Sequence, residues 1–187
     1  MNKKLRREYR NNPNAFGRFV ITLASAAIIA SAAGCGTTIP KEQSGSGRES
    51  PHSAVNARDA QGRTALMRAV LRGDEEAARV SLDAKADVNI KDEYGKTALT
   101  QAVQEQDFGM VRLLVSAKAD VNIADEEGWT ALMHAVWFAN HDMVRVLLSA
   151  KADVHATNRS GETAFDLTAD PRIIEQLRNA EGRDDAP

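Results

Sequence analysis

The sequence predicts an all-α fold in which short helical units stack in a row, and two observations carry this prediction. Residues 92–124 and 125–157 are one 33-residue segment written twice, with 18 of the 33 positions identical. The same period repeats two turn residues, at Asp59, Asp92, Asp125 and Asn158 and at Gly62, Gly95, Gly128 and Gly161. A fixed period of about 20 to 50 residues is typical of units that bury a core only by stacking on their neighbours. We therefore place repeats at residues 59–91, 92–124, 125–157 and 158–180.

Each repeat is predicted to open with a turn followed by a first helix. Asp or Asn at the first position and Gly at the fourth favour a type I turn. The threonine two residues after the glycine can accept a hydrogen bond from a free backbone N–H, which predicts helix N-caps at Thr64, Thr97, Thr130 and Thr163. In the third repeat, the apolar residues between Ala131 and Val136 recur at helical spacing and predict a helix of about nine residues.

A second helix is predicted after Asn140, with Met143, Val144, Leu147 and Leu148 on its buried side. Asp74 and Asp107 occupy the same N-cap position in the earlier repeats. In the last repeat this helix is predicted to begin at Pro171, because proline is tolerated at the first helical position. Residues 181–187 are expected to form a disordered tail.

The order of turn, helix, helix and Ala-Asp-Val-Asn resembles the ankyrin repeat over residues 53–180. The resemblance implies an ankyrin-repeat solenoid of about four helix-turn-helix repeats with β-turn tips. It also implies a protein partner and a monomer when unbound. The family's Thr-Pro-Leu-His reads Thr-Ala-Leu-Met or Thr-Ala-Leu-Thr here. Its helix-ending glycine is replaced by Lys85, Lys118 and Lys151, and each would cost about 1 kcal/mol relative to glycine in the left-handed conformation.

The first 35 residues indicate export. Basic residues at positions 3–18 precede a short apolar run at 19–33, which is typical of a signal peptide, whereas a membrane span needs about 20 apolar residues. The segment Ser31-Ala32-Ala33-Gly34-Cys35 resembles the lipobox of bacterial lipoproteins. That resemblance implies a signal peptide at 1–34, diacylglycerol on Cys35 and a lipidated flexible linker at 35–52. An uncleaved inner-membrane anchor and ordinary signal-peptide cleavage nearby are the alternatives.

Cys35 is the only cysteine of the chain, so no disulfide partner competes with lipidation. By the same resemblance, Gly36 in place of an aspartate after the cysteine implies the periplasmic face of a bacterial outer membrane. The linker at residues 36–52 is rich in Gly, Ser and charge and offers almost nothing to bury.

Charge and motifs argue against nucleic acid and against catalysis. Without residues 1–35 the chain has 18 basic and 25 acidic side chains, a formal net charge of −7, and no basic stripe of the kind that binds phosphate backbones. No G-x-S-x-G, H-E-x-x-H or P-loop motif is present. We therefore predict no enzyme activity and no cofactor. His134, His141 and His155 match no common ligand spacing, so no metal site is predicted.

In ankyrin arrays the residues free to contact a partner lie at the turn tips and along the inner side of the first helices. Both tryptophans of the chain fall at such positions, and large apolar side chains that stacking does not need are typical of binding hot spots. We expect Trp129, Trp137, Phe138 and Tyr94 to form one apolar area. Packing between adjacent helices is the alternative for Trp137 and Phe138. The predicted partner-binding residues are Arg63, Tyr94, Lys96, Glu126, Glu127, Trp129, His134, Trp137 and Phe138.

A small lipid-tethered binder of this kind resembles immunity proteins that neutralise toxic effectors delivered into the periplasm, such as phospholipases. The first alternative is an assembly or protective factor for a periplasmic enzyme, since some bacterial ankyrin proteins are associated with peroxide defence. The second alternative is a structural envelope lipoprotein.

Overall fold

The computed structural model describes residues 55–184, which contain seven complete α-helices and no strand. The all-α prediction is therefore confirmed. Residues 1–52, which hold the predicted signal peptide, Cys35 and linker, lie outside the described residues. The helices are α1 (Ala65–Arg72), α2 (Glu75–Asp83), α3 (Ala98–Gln104), α4 (Phe108–Ser116), α5 (Ala131–Trp137), α6 (His141–Ser149) and α7 (Pro171–Asp184).

The helices form hairpins that stack in two layers. Helices α1, α3 and α5 pack side by side in one layer, and α2, α4, α6 and α7 form the other. Each repeat buries its apolar side chains only against its own hairpin and the adjacent repeats, as expected for a solenoid. The largest side chains that are almost completely buried include Leu66, Met67, Leu99, Met110, Leu114, Leu132, Met143 and Leu147.

Side-chain caps begin the helices at the predicted residues. The hydroxyls of Thr64, Thr97 and Thr130 each accept a hydrogen bond from the backbone N–H three residues later, at 3.3 Å. The same arrangement begins the second helices at Asp74, Asp107 and Asn140, at 2.9 to 3.1 Å. Helix α5 has seven residues rather than the nine expected.

The last repeat lacks the first helix that the repeat pattern predicts, and residues 164–167 form a turn instead. Thr163 lies seven positions before Asp170, whereas Thr130 lies ten positions before Asn140. The missing three residues amount to almost one helical turn of about 3.6 residues. The carboxylate of Asp166 accepts hydrogen bonds from the backbone N–H and the hydroxyl of Thr163, at 2.9 and 2.8 Å. The Thr163 hydroxyl is thus engaged by Asp166 and does not cap a helix.

Helix α7 continues to Asp184, so residues 181–184 are helical where the sequence predicts the start of a disordered tail. This last turn of α7 lies beside the loop that follows α6, since Glu181 Oε1 is 3.3 Å from His155 Nε2. The two side chains are 64% and 42% exposed, and such exposed pairs are weak.

Two rows of hydrogen bonds join consecutive repeats. In the tip row, backbone N–H groups donate to the carbonyl of the preceding tip, in the pairs Glu93 to Gln61, Glu126 to Tyr94 and Arg159 to Glu127, at 3.2, 3.1 and 3.0 Å. In the second row, the side-chain oxygens of Asn56, Asn89 and Asn122 each accept from the backbone N–H 31 residues later, at 2.8 to 2.9 Å. Asn56 precedes the first full repeat and still makes this bond, so the row begins before that repeat.

Left-handed backbone follows most helices. Lys85, Lys118 and Lys151 have φ angles of 64°, 65° and 64°, the conformation that the resemblance implies for the glycine they replace. The position filled by Gly73 after α1 is filled by Ala139 after α5, with φ of 67° and 52°. A Cβ atom in this conformation crowds its own backbone, and glycine avoids that cost.

We expect Ala139→Gly to stabilise the array by about 1 kcal/mol, because the relief of left-handed strain outweighs the added freedom of the unfolded chain. Ala139 is exposed, so the change removes little packing. Denaturant unfolding measures the gain, and Gly73→Ala is the matched reverse change, which should lose a similar amount. A loss of stability in Ala139→Gly would contradict the assigned strain.

Candidate protein-binding surface

The tip turns fold back along the first helices, and together they form one side of the array, here called the inner face. In the second repeat, Lys96 Nζ in the tip donates to Gln104 Oε1 on α3 at 2.9 Å. In the first repeat, Arg68 on α1 donates to the backbone carbonyl of Arg63 at 3.2 Å. The tips and first helices of the three full repeats span residues 58–72, 91–105 and 124–138, and the inner face is the exposed part of these segments.

An aromatic group lies on the inner face of the third repeat. The indole rings of Trp129 and Trp137 meet edge to face, with centroids 5.8 Å apart and planes at 87°. The Trp129 ring also lies 5.0 Å from the imidazole of His134, at an interplanar angle of 33°. Both tryptophans are half-buried, so each keeps accessible ring surface. Edge-to-face aromatic pairs are favourable, and they hold the two indoles in fixed positions.

Polar contacts link this group to the second repeat. His134 Nε2 lies 3.2 Å from Asp125 Oδ2 and 3.2 Å from Gln104 Nε2. Because Lys96 binds the amide oxygen of Gln104, the amide nitrogen faces His134. One ring nitrogen cannot donate to the carboxylate and accept from the amide at the same time. Because the Asp125 carboxylate can only accept, we assign the proton to Nε2, so that His134 donates to Asp125 and the approach of the Gln104 amide nitrogen is a contact without a hydrogen bond.

The contact between His134 and Asp125 repeats along the array. At the same spacing of nine residues, Arg68 Nη1 lies 3.7 Å from Asp59 Oδ2, and Gln101 Nε2 donates to Asp92 Oδ2 at 2.9 Å. In all three full repeats, a donor on the first helix thus contacts the turn carboxylate. The sequence predicts that His134 contacts a partner. Its side chain is only 13% exposed, and its contact with Asp125 holds the tip of its own repeat.

The side chain of Asp125 is 6% exposed, and it also accepts hydrogen bonds from the backbone N–H groups of Glu127 and Trp129, at 3.0 and 2.9 Å. Burial raises the pKa of this carboxyl, but the hydrogen bonds from His134, Trp129 and Glu127 outweigh burial and leave the pKa below its ordinary value. The ionised carboxylate of Asp125 therefore has a structural role. It holds the backbone of the third tip in place, including the backbone N–H of Trp129.

The sequence predicts that Tyr94 and Phe138 share one apolar area with the two tryptophans, and this stays a prediction. Within residues 55–184 no ring contact links either of them to Trp129 or Trp137. Tyr94 is 58% exposed, and the hydrogen bond to Glu93 raises the pKa of its hydroxyl. Phe138 is the C-cap residue of α5 and is half-buried. The aromatic group is thus restricted to the third repeat.

The comparison with known families agrees with this geometry. Residues 66–158 match the family model described as ankyrin repeats, in three copies. The chain contains ankyrin repeats. Such repeats generally mediate protein–protein interaction and are typically not enzymes. No curated protein matches the chain at a significant level.

The four charged residues predicted to bind a partner lie at the tips of the ankyrin array. Arg63 Nε lies 3.0 Å from Asp59 Oδ2. Lys96 is half-buried, and its Nζ donates to Gln104. Glu126 and Glu127 are exposed. The structure therefore leaves the two glutamates most accessible, whereas Arg63 and Lys96 already have partners within their own repeats.

Sequence reasoning missed the positioning roles of Gln104 and Asp125 in the ankyrin array. Gln104 lies between Lys96, whose Nζ donates to its amide oxygen, and His134, which its amide nitrogen approaches at 3.2 Å. A signal was present in the sequence, because the residue nine positions after each turn aspartate carries a hydrogen-bond donor in all three full repeats.

The histidines pair with carboxylates. His141 Nε2 lies 3.1 Å from Asp170 Oδ2, and His155 contacts Glu181. Within residues 55–184 no three His, Cys, Asp or Glu side chains are grouped so that they could hold a metal ion. In the same part of the chain, no helix has the length and hydropathy to cross a membrane.

Proposed function

We propose that this chain is a lipid-anchored periplasmic module that binds a partner protein through the inner face of its ankyrin repeats. The observation that carries this proposal is the Trp129 and Trp137 pair, which keeps indole surface accessible on the inner face. Rigid, half-exposed aromatics are typical binding hot spots, and each contributes about 2 kcal/mol or more to a complex.

The binding test uses Trp129→Ala with Trp137→Ala in a tagged full chain. Cross-linking in intact cells is followed by affinity purification from detergent-solubilised membranes and identification of the bound protein. We expect the double variant to lose the partner and to keep a melting temperature within a few degrees of the parent. The matched control is Phe108→Ala, which removes a half-buried aromatic from α4 in the other layer and should leave capture unchanged. Unchanged capture by the tryptophan variant would overturn the proposal.

The anchor part of the proposal is supported by the lipobox resemblance at residues 31–35 and by the absence of any other cysteine from the chain. Stable membrane attachment requires two membrane signals, which acylation of a lipoprotein cysteine would supply. Feeding cells a clickable fatty acid should label the wild-type chain and leave Cys35→Ser unlabelled. Equal labelling of both chains would refute lipidation at Cys35.

We further propose that the partner is a toxic effector that acts in the periplasm, such as a phospholipase, and that this protein is its immunity protein. The support is physical: a tether at the membrane places an inhibitor where such an enzyme meets the bilayer. Purified partner should therefore lose lipase activity on vesicles when the wild-type chain is added, and should keep it with the tryptophan variant. A bound partner whose activity is unaffected would reject the immunity role while leaving the binding role in place.

A further inference from the structure

The formal charge of the inner face changes sign along the array. Residues 58–72 carry four arginines and one aspartate, a net charge of +3. Residues 91–105 carry two lysines and three acidic residues, a net charge of −1. Residues 124–138 carry three acidic residues and no lysine or arginine, a net charge of −3. These three segments are equivalent parts of successive repeats, so the row of tips and first helices has a basic end and an acidic end. At the basic end, Arg72 lines the groove between α1 and α2.

The basic end keeps a surplus of positive charge after its internal pairing. The single carboxylate of Asp59 is shared by Arg63 at 3.0 Å and Arg68 at 3.7 Å. Arg58 and Arg72 are exposed, and neither forms an ion pair with a residue of the described part of the chain. An acidic group of a partner would therefore find unneutralised guanidinium groups in the first repeat.

The acidic end combines carboxylates with the aromatic pair. Glu127 meets Arg159 only at 3.9 Å, with side chains 75% and 68% exposed, and such exposed pairs are weak. Glu126 forms no ion pair within residues 55–184. Trp129 follows Glu127 by two residues and contacts Trp137. A lysine or arginine side chain fits such a surface, because its stem packs on indole rings and its charge is attracted by the ring faces and the carboxylates.

We infer that the partner's contact surface is itself polarised, with a basic, apolar-flanked segment on the third repeat and an acidic segment on the first. This inference rests on the proposed function, and it specifies the chemistry and orientation of the partner. Neighbouring helices pack about 8 to 10 Å apart, so the two partner segments would lie roughly 16 to 20 Å apart. The reversed orientation would bring like charges together, which selects a single docking direction.

The first test uses two probes, acetylated hexalysine amide and hexaglutamate amide, titrated into the isotope-labelled full chain and followed by NMR. Hexalysine should shift both tryptophan indole N–H signals and the amides of Glu126 and Glu127. Hexaglutamate should shift the amides of Arg58 and Arg72 and leave the indole signals in place. The effects should weaken with added salt, because exposed charges more than about 10 Å apart are screened at 0.1 M ionic strength.

Charge reversal then tests each end separately. Glu126→Lys with Glu127→Lys should weaken hexalysine binding about tenfold and leave hexaglutamate binding unchanged or stronger. Arg58→Glu with Arg72→Glu should give the opposite pattern. The matched control is Arg112→Glu with Arg145→Glu, on the exposed side of the second helices α4 and α6, and it should alter neither titration.

The inference is overturned if neither peptide binds, if both shift the same residues, or if the control weakens binding as much as the inner-face reversals do. These outcomes are distinct from failure of the proposed function, which is decided by loss or retention of the cellular partner in the tryptophan variant. With the purified partner, each inner-face reversal should slow association about tenfold while the control leaves it unchanged. Unchanged association in both reversals would also overturn the inference.

Discussion

Gly128→Ala should destabilise the array by about 2 to 4 kcal/mol. Gly128 has φ of 79°, a conformation in which a Cβ atom crowds its own backbone. A Cβ at this site would also lie 2.9 Å from the backbone nitrogen of Arg159 and 3.0 Å from Cα of Asn158. The following repeat would have to move away, which would weaken the tip hydrogen bond from Arg159 to Glu127.

The matched control for this substitution is Gly161→Ala. Gly161 has nearly the same φ, 75°, but an added Cβ there meets nothing within 4 Å. Its loss should therefore be the left-handed strain alone, about 1 kcal/mol. Denaturant unfolding of the two variants separates the cost of the close approach between repeats from the cost of the backbone conformation. Equal losses would mean that the contact between tips does not matter to the stability of the stack.

Asp125→Ala should cost about 2 to 3 kcal/mol, because it removes a nearly buried carboxylate and leaves its three hydrogen-bond donors without an acceptor. Asp125→Asn is the matched variant and should cost less than about 1 kcal/mol. The last repeat already has asparagine at this position, where Asn158 Oδ1 accepts from the backbone N–H groups of Ser160 and Glu162 at 2.9 and 3.0 Å. Thermal unfolding of both variants measures the difference. Equal losses of stability would show that an asparagine cannot hold the tip at position 125 as Asn158 does in the last repeat.

The lowered pKa of Asp125 also fixes a pH dependence. The ordinary value is 3.8 and the folded value lies below it, so the ionised carboxylate stabilises the fold above about pH 4. This stabilisation is lost as the pH falls through the folded pKa, because the carboxyl then takes up a proton in both states. The stability advantage of wild type over Asp125→Asn should therefore shrink as the pH falls from about 4 toward 3. An advantage that grows toward pH 3 would contradict the assigned direction.

The repetitive part of the fold could be predicted because its rules are local. A threonine or aspartate before an apolar run satisfies free N–H groups wherever it occurs, so the caps at Thr130 and Asn140 could be placed from the sequence alone. In the last repeat the predicted first helix is wrong, whereas the second helix begins at Pro171 as predicted. The prediction followed the repeat pattern and did not consider that Thr163 and Asp170 are closer in sequence than the equivalent residues of the other repeats. This shorter spacing removes almost one helical turn and leaves no room for a first helix.

The candidate surface could be predicted only in part, because side-chain partners depend on three-dimensional neighbours. The positions of Trp129 and Trp137 in the repeat placed both on the inner face, and their contact agrees with that placement. Nothing in the sequence indicated that Lys96 would turn toward Gln104, or that Tyr94 would stand apart from the indole pair. A polar side chain can reach several hydrogen-bond partners, and the repeat pattern does not indicate which of them it will bind.

Site-specific photo-cross-linking in living cells tests the central claim most directly. A photoreactive aromatic amino acid, which keeps a large apolar ring at the site, would replace Trp137 on the inner face in one strain and Arg112 on α4 in another. We predict a covalent complex with one partner protein from position 137 and none from position 112. A complex formed from position 112, with none from position 137, would contradict binding through the inner face.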